Sequence, residues 1–279
     1  MPALRVIDLA MSPAAVAQVD SMLAEIRETE GVHIPWAIES GSRAWGFPSP
    51  DSDYDARFIY VRPAEQALTI WPRRDVIERP IVGDMDVNGW DLAKALRLIL
   101  KGNAVVVEWL QSPIVYDGQP WFRDVMLSFA RTHTDRARLT AHYLHLGRRQ
   151  QAVYLEGEAQ PALKKIFYAL RPAAAVRWLS LHPDQLLPPM HFPTLLAEAD
   201  PSREVAELTA ELIARKSVTR ELGVGETPSA LRHFINEALA ATSAPDSSLE
   251  ISPTAVKAAD DLFAEVTFKL DGIAQGCAQ

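Results

Sequence analysis

One short stretch, Gly41-Ser42-Arg43-Ala44-Trp45-Gly46-Phe47-Pro48-Ser49-Pro50-Asp51-Ser52-Asp53-Tyr54-Asp55, constrains this chain more than any other. Upstream, His33-Ile34-Pro35-Trp36-Ala37-Ile38-Glu39 reads as a strand, with Pro35 marking an edge or irregular start. Downstream, Tyr54 to Val61 reads as a second strand, with Phe58, Ile59 and Tyr60 in it. Between them Gly46 to Ser52 carries Pro48, Pro50 and two serines, the composition of a loop. Side chains alternate faces along a strand, so Asp53 and Asp55 point the same way, with α-carbons about 6.5 Å apart. Tyr54 then points to the opposite, buried face.

Two carboxylates at that separation can bridge two divalent ions held roughly 3.5–4 Å apart. Such a pair suits in-line attack at phosphorus, one ion activating a hydroxyl and the other steadying a triphosphate. Magnesium fits carboxylate and phosphate oxygens best, with manganese as a substitute. Gly41 and Ser42 follow the first strand, where a turn opening a short helix would bring backbone N–H groups and a hydroxyl to phosphate oxygens. Arg43 would add positive charge. A calcium loop is excluded: Asp51, Asp53 and Asp55 match its opening, but its sixth and twelfth positions hold Ala56 and Arg62 instead of Gly and Glu. Asp51 is then a turn residue.

A third carboxylate is expected on a neighbouring strand. Gly83-Asp84-Met85-Asp86-Val87 offers two, and Asp86 is preferred because Met85 and Val87 flank it as apolar strand neighbours. Asp84 follows Gly83 and reads as loop. Asp91, after Trp90, reads as a helix cap.

The rest of the chain divides by texture. Residues 12 to 29 form a helix, with Pro13 at its first turn and Gly31 beyond its end. An extended region spans Val76 to Val87. Asp91 to Lys101 has helical periodicity, and Asn103 caps a further helix to about Leu110. Residues 113–116 are a last short strand. Beyond Asp117 the periodicity predicts only helices, near 120–131, 135–156, 161–180, 203–222 and 254–274. Residues 187–190 and 240–253 read as connectors. The fold class is therefore α+β: a small mixed-sheet domain over residues 1–118, then an all-helical domain over residues 119–279.

The motifs resemble the DNA polymerase β-like nucleotidyltransferase superfamily. Four strings narrow this: Ser40 to Gly46, Ser49 to Asp55, Gly89-Trp90-Asp91-Leu92-Ala93-Lys94-Ala95-Leu96, and Lys164-Lys165-Ile166-Phe167-Tyr168-Ala169-Leu170-Arg171-Pro172. They are similar to the predicted nucleotidyltransferases that include RNA-repair-associated members, over roughly residues 32 to 195. The resemblance implies a palm with three catalytic carboxylates, assigned to Asp53, Asp55 and Asp86 as metal ligands. It also implies a metal-dependent nucleoside triphosphate donor, ATP being the first choice, and a helical partner domain. The tail after about residue 200 carries no matching motif.

Lys94, Arg97 and Lys101 lie on one helical stripe. A solvated face is its ordinary reading, and Lys94 is its candidate for phosphate contact. Lys164, Tyr168 and Arg171 share another stripe, bordered by Lys165, which could grip a triphosphate with the ring beside a base. Glu108, inside Val105 to Leu110, reads as a buried anchor. Arg136 and His142 have the spacing of some helical RNases, but so many arginines and histidines surround them that the spacing carries nothing.

Composition bounds the setting. A formal charge of −8 in 279 residues argues against nonspecific coating of nucleic acid and leaves room for a local basic groove. One cysteine, Cys277, cannot build a disulfide framework, which suits a reducing cytoplasm. No targeting segment or membrane span is legible. Three acceptors remain open: an RNA end, a protein hydroxyl and a small-molecule alcohol, with RNA placed first. A non-catalytic nucleotide-binding module is the reading from another class, and the presence of both Asp53 and Asp55 argues against it.

Overall fold

A computed structural model describes residues 3–71, 73–156, 162–220, 222–241 and 250–277. Six strands form one mixed sheet. They are β1 (Leu4–Val6), β2 (His33–Glu39), β3 (Tyr54–Val61), β4 (Val76–Glu78), β5 (Met85–Asp91) and β6 (Val115–Gly118), in the order β1-β6-β2-β3-β5-β4. Only β3 and β5 run parallel; the other neighbours are antiparallel. The chain is thus α+β, a mixed sheet followed by a helical region.

Alternation along β3 explains how the sheet is covered. Tyr54, Ala56, Phe58 and Tyr60 enter a core with helix α1 (Pro13–Glu30), through its Val16, Val19, Leu23 and Ile26. Ile59 and Val61 face the other way, into a core with α4 (Leu92–Leu100), α5 (Ala104–Leu110) and α6 (Pro120–His133). That second core also receives Val266 and Leu270 of the last helix, α12 (Pro253–Cys277). Asp55 and Arg57 share the parity of Ile59 and Val61.

Between α1 and β3 the short α2 (Gly41–Trp45) follows β2, and α3 (Ala64–Ala67) follows β3. The remaining helices are α7 (Arg136–Gln151), α8 (Ile166–Leu181), α9 (Phe192–Glu198), α10 (Arg203–Val218) and α11 (Ser229–Ala240). They build a third core around α8, whose residues are buried on nearly every side. Phe47, from the loop after α2, is inserted into that core. It stacks on Phe167 at 4.6 Å and meets Phe192 edge-on at 5.8 Å between ring centroids. The loop carrying the aspartates is thereby fastened to the helical layer.

Several boundaries differ from the sequence reading. The extended stretch over 76–87 is two strands, broken by a turn at Gly83, which has φ of 60°. β5 runs on to Asp91, which still caps α4 by accepting from Ala93 N–H. β6 is displaced two residues from the expected 113–116. β1 and α9 are too short to be legible; α11 was missed although Leu231, Phe234, Ile235, Ala238 and Leu239 recur at helical spacing. The expected helix over 161–180 begins instead as a tight turn, Leu163–Lys165, before α8. Residues 242–249 of the expected connector, and the side chain of Cys277, lie outside the described residues. Among the described residues no helix is long and apolar enough to cross a membrane.

Candidate active site

The turn from β2 into α2 is shaped around Asp55. Ser40 N–H donates to the Asp55 carbonyl at 2.8 Å, and Gly41 has φ of 61°. A Cβ at position 41 would stand 1.9 Å from Asp55 Oδ2. Glycine is thus required twice, for its backbone conformation and for the carboxylate packed against it. Asp55 N–H in turn donates to Glu39 Oε1 at 2.9 Å. Glu39 is fully buried, and its other oxygen accepts from the Tyr116 hydroxyl. Burial pushes the Glu39 carboxyl up to about 7, against the stabilising hydrogen bonds from Tyr116 and Asp55 N–H.

The parallel register sets Asp86 on β5 directly beside Asp55 on β3. Their α-carbons are therefore about 4.8 Å apart, the ordinary interstrand spacing. Asp84 sits in the exposed turn before β5 and contributes its carbonyl to Tyr54 N–H at 2.7 Å. Arg57, which sequence reasoning passed over, lies between the paired carboxylates. Its Nη2 donates to Asp55 Oδ1 at 3.0 Å and to Asp86 Oδ2 at 2.6 Å. Its Nη1 donates to the Asp86 carbonyl at 2.7 Å and the Ala56 carbonyl at 3.0 Å. Burial pushes the Asp55 carboxyl up; Arg57 opposes this, while the charges of Asp86 and Asp53 add to it.

A cleft of about 430 Å³ opens over this edge of the sheet. Gly41, Ser42, Asp53, Asp55 and Arg57 form one wall. Lys164, Tyr168, Lys216 and Arg220, from the helical layer, form the other. Ser42, Ser49 and Ser52 join hydroxyls beneath it, with Oγ–Oγ distances of 2.8 Å for Ser42–Ser52 and 3.0 Å for Ser49–Ser52. Lys216 is nearly buried and donates to the Phe47 carbonyl at 2.6 Å; burial lowers its ammonium to about 8. Lys216 and Arg220 come from the part of the chain that carried no legible motif. The place of Lys216 depends on Phe47, 169 residues distant in sequence, which periodicity cannot reveal.

The other candidates lie elsewhere. Arg43 donates to the carbonyls of Ser52 at 2.5 Å and Asp53 at 3.1 Å, and its guanidinium covers the Tyr54 ring. It braces the aspartate loop and is not a wall of the cleft. Lys94 pairs with Asp75 at 3.2 Å, near the far end of β5 from Asp86. Lys165 lies over the Tyr154 ring. Arg171 is buried: it donates to Glu108 Oε1 at 2.7 Å, where Tyr143 also donates at 3.0 Å, and it lies against Trp45. Glu108 is the buried anchor that its apolar setting implied. Of the expected stripe, Lys164 and Tyr168 share the cleft wall, whereas Arg171 is turned into the buried pair with Glu108.

Among the described residues no three His, Cys, Asp or Glu side chains converge on a point where they would hold an ion. The donor chemistry nevertheless suits a hard divalent cation: all three groups are carboxylates, and the missing Cβ of Gly41 keeps Asp55 Oδ2 in place. Between Asp55 and Asp86 lies the guanidinium of Arg57, which donates to both.

Residues 16–265 match the sequence profile of the RNA repair pathway DNA polymerase beta family. The chain is also similar to the "Uncharacterized protein YcgL" of Bacillus subtilis (strain 168), with 41% identity over 214 residues. The match covers 76% of this chain and 81% of that protein. The profile extends across α10 and the first half of α12, well beyond the segment in which motifs could be read.

Proposed function

The chain belongs to the RNA repair pathway DNA polymerase beta family, and from that premise we propose that it is a metal-dependent nucleotidyltransferase acting on RNA ends. It takes a nucleoside monophosphate from a triphosphate donor, ATP first among candidates, and places it on a hydroxyl. The observation that carries this reading is the juxtaposition, across one cleft, of an acidic edge at Asp53 and Asp55 with Lys164, Lys216 and Arg220.

Magnesium or manganese held by Asp53 and Asp55, with Asp86 completing the set, would increase the acidity of the acceptor hydroxyl and offset charge on the triphosphate. The chain's own groups do the remaining work. Lys164, Lys216 and Arg220 bind the triphosphate and the departing pyrophosphate. Ser42 supplies a hydroxyl beside the phosphates, and the ring of Tyr168 lies along the base. Arg43 fixes the loop that aims Asp53. The acceptor oxygen forms a bond to the α-phosphorus, the bond from that phosphorus to the β-phosphate bridging oxygen breaks, and pyrophosphate leaves. Asp86 receives the hydroxyl proton.

Supporting the choice of acceptor are the family to which the chain belongs and the cationic wall, in a protein whose overall charge is negative. The test is pyrophosphate release from each of the four triphosphates with three acceptors: RNA bearing a free 3′ hydroxyl, the same RNA after periodate oxidation, and RNA-free protein extract. Release that needs the intact RNA terminus is the expected result. Release with extract alone would move the acceptor to a protein hydroxyl.

A further inference from the structure

We propose that Arg57 is a built-in stand-in for the divalent cation. In the metal-free protein its guanidinium holds Asp55 and Asp86, and metal binding moves it off Asp86 and into the cleft, toward the triphosphate. The inference rests on the metal-dependent reading above.

The geometry points to this in three ways. Arg57 is two residues beyond Asp55 on β3, so both side chains leave the same face of the sheet. Across the ladder Arg57 stands opposite Asn88, one strand step from the Asp55–Asp86 pair, and it reaches back to bridge that pair. Its Nη2 therefore contacts the same two carboxylates that the proposed metal would draw on. The second point is charge. Asp55 is three-quarters buried with Asp86 beside it in the ladder, and the Arg57 guanidinium is the cation in contact with both carboxylates. An arginine remains charged at all working pH values, and a divalent cation between the same carboxylates would take over its role. The third point is access. Arg57 lines the cleft, whereas Asp86 is not among the described residues that do. In the proposed metal-bound state the guanidinium turns into that space, where phosphate oxygens would accept from it. Asn88 Nδ2, 3.4 Å from Asp86 Oδ1, stays to orient the carboxylate that Arg57 leaves.

Two consequences follow from linkage. Metal affinity in the absence of nucleotide is lowered by the fraction of molecules in which Arg57 is closed. A triphosphate that accepts the guanidinium must tighten metal binding, and metal must tighten triphosphate binding by the same factor.

The experiment is titration of Mn2+ into the full-length protein, followed by electron paramagnetic resonance, for wild type, Arg57→Gln, Arg57→Lys and Asp53→Asn. Each is titrated with and without a non-hydrolysable triphosphate analogue. Arg57→Gln should bind Mn2+ alone on the order of tenfold more tightly than wild type and gain less from the analogue. Arg57→Lys, a single point charge unable to bridge both carboxylates, should fall between them and serves if Arg57→Gln does not fold. Equal or weaker Mn2+ binding in both arginine variants, with binding lost in Asp53→Asn, would overturn the stand-in and leave the nucleotidyltransferase reading intact. Wild type that takes up no Mn2+ with or without the analogue would overturn both.

Discussion

Gly41 and Asp55 occupy each other's space: a Cβ on residue 41 would lie 1.9 Å from Asp55 Oδ2. The glycine of the Gly-Ser turn is therefore a seat for a carboxylate, whatever it also offers a phosphate. Gly41→Ala should displace Asp55 and lower nucleotidyl transfer by roughly 100-fold or more, because a reacting group moved by about 1 Å is enough for that. Strain in the left-handed backbone should add about 1–2 kcal/mol of destabilisation. Label transfer and denaturant unfolding, measured on one preparation, check both parts.

Asp86 and Asp84 differ in register. Asp86 faces Asp55 across parallel strands, and Asp84 belongs to the exposed turn. Asp86→Asn should reduce turnover on the order of 100-fold or more, the scale on which a lost general base is felt. Asp84→Asn should leave turnover near wild type. Equal losses would contradict the assignment.

Arg171 is held by Glu108 below the cleft wall. Removing one partner of a buried pair strands the other, so Arg171→Met should destabilise the fold by about 3–5 kcal/mol. Arg171→Met with Glu108→Leu should recover much of that stability. The affinity for triphosphate should be unchanged in the double variant. Urea unfolding and nucleotide titration separate this outcome from a direct role for Arg171 in phosphate binding.

Lys216 gives the cleft a pH dependence. Burial lowers its ammonium to about 8, with the charges of Lys164 and Arg43 acting the same way and Asp51 opposing them. Its folded value lies below its unfolded value of 10.5, so the charged form is disfavoured by folding. Its contribution to stability therefore rises with pH between about 8 and 10.5, where the unfolded chain binds more protons. Phosphate binding runs the other way, since it needs the ammonium. Triphosphate affinity in wild type should decline as pH rises through about 8, and Lys216→Arg should flatten that decline because its charge persists.

The limits of reading the sequence have physical causes. β3 was legible because Phe58, Ile59 and Tyr60 give it β character, with turn-forming prolines just ahead of it. β1 could not be found, since three residues with mostly exposed side chains leave no alternation. Arg57 was within reach, because Asp53, Asp55 and Arg57 share a parity along β3 and the residue before it. Arg171 misled because helical spacing cannot say which stripe is covered by Glu108 and Trp45. Lys216 is held by the Phe47 carbonyl, a tertiary fact with no local signal.

The central claim is that nucleotidyl transfer takes place at the edge of the sheet marked by Asp53 and Asp55. Its most direct test supplies each α-labelled triphosphate with magnesium and total RNA to wild type, Asp53→Ala and Asp51→Ala. Label should pass to RNA with wild type and with Asp51→Ala, and should be lost with Asp53→Ala. Transfer that is undiminished in Asp53→Ala, or absent in wild type with every nucleotide, would contradict it.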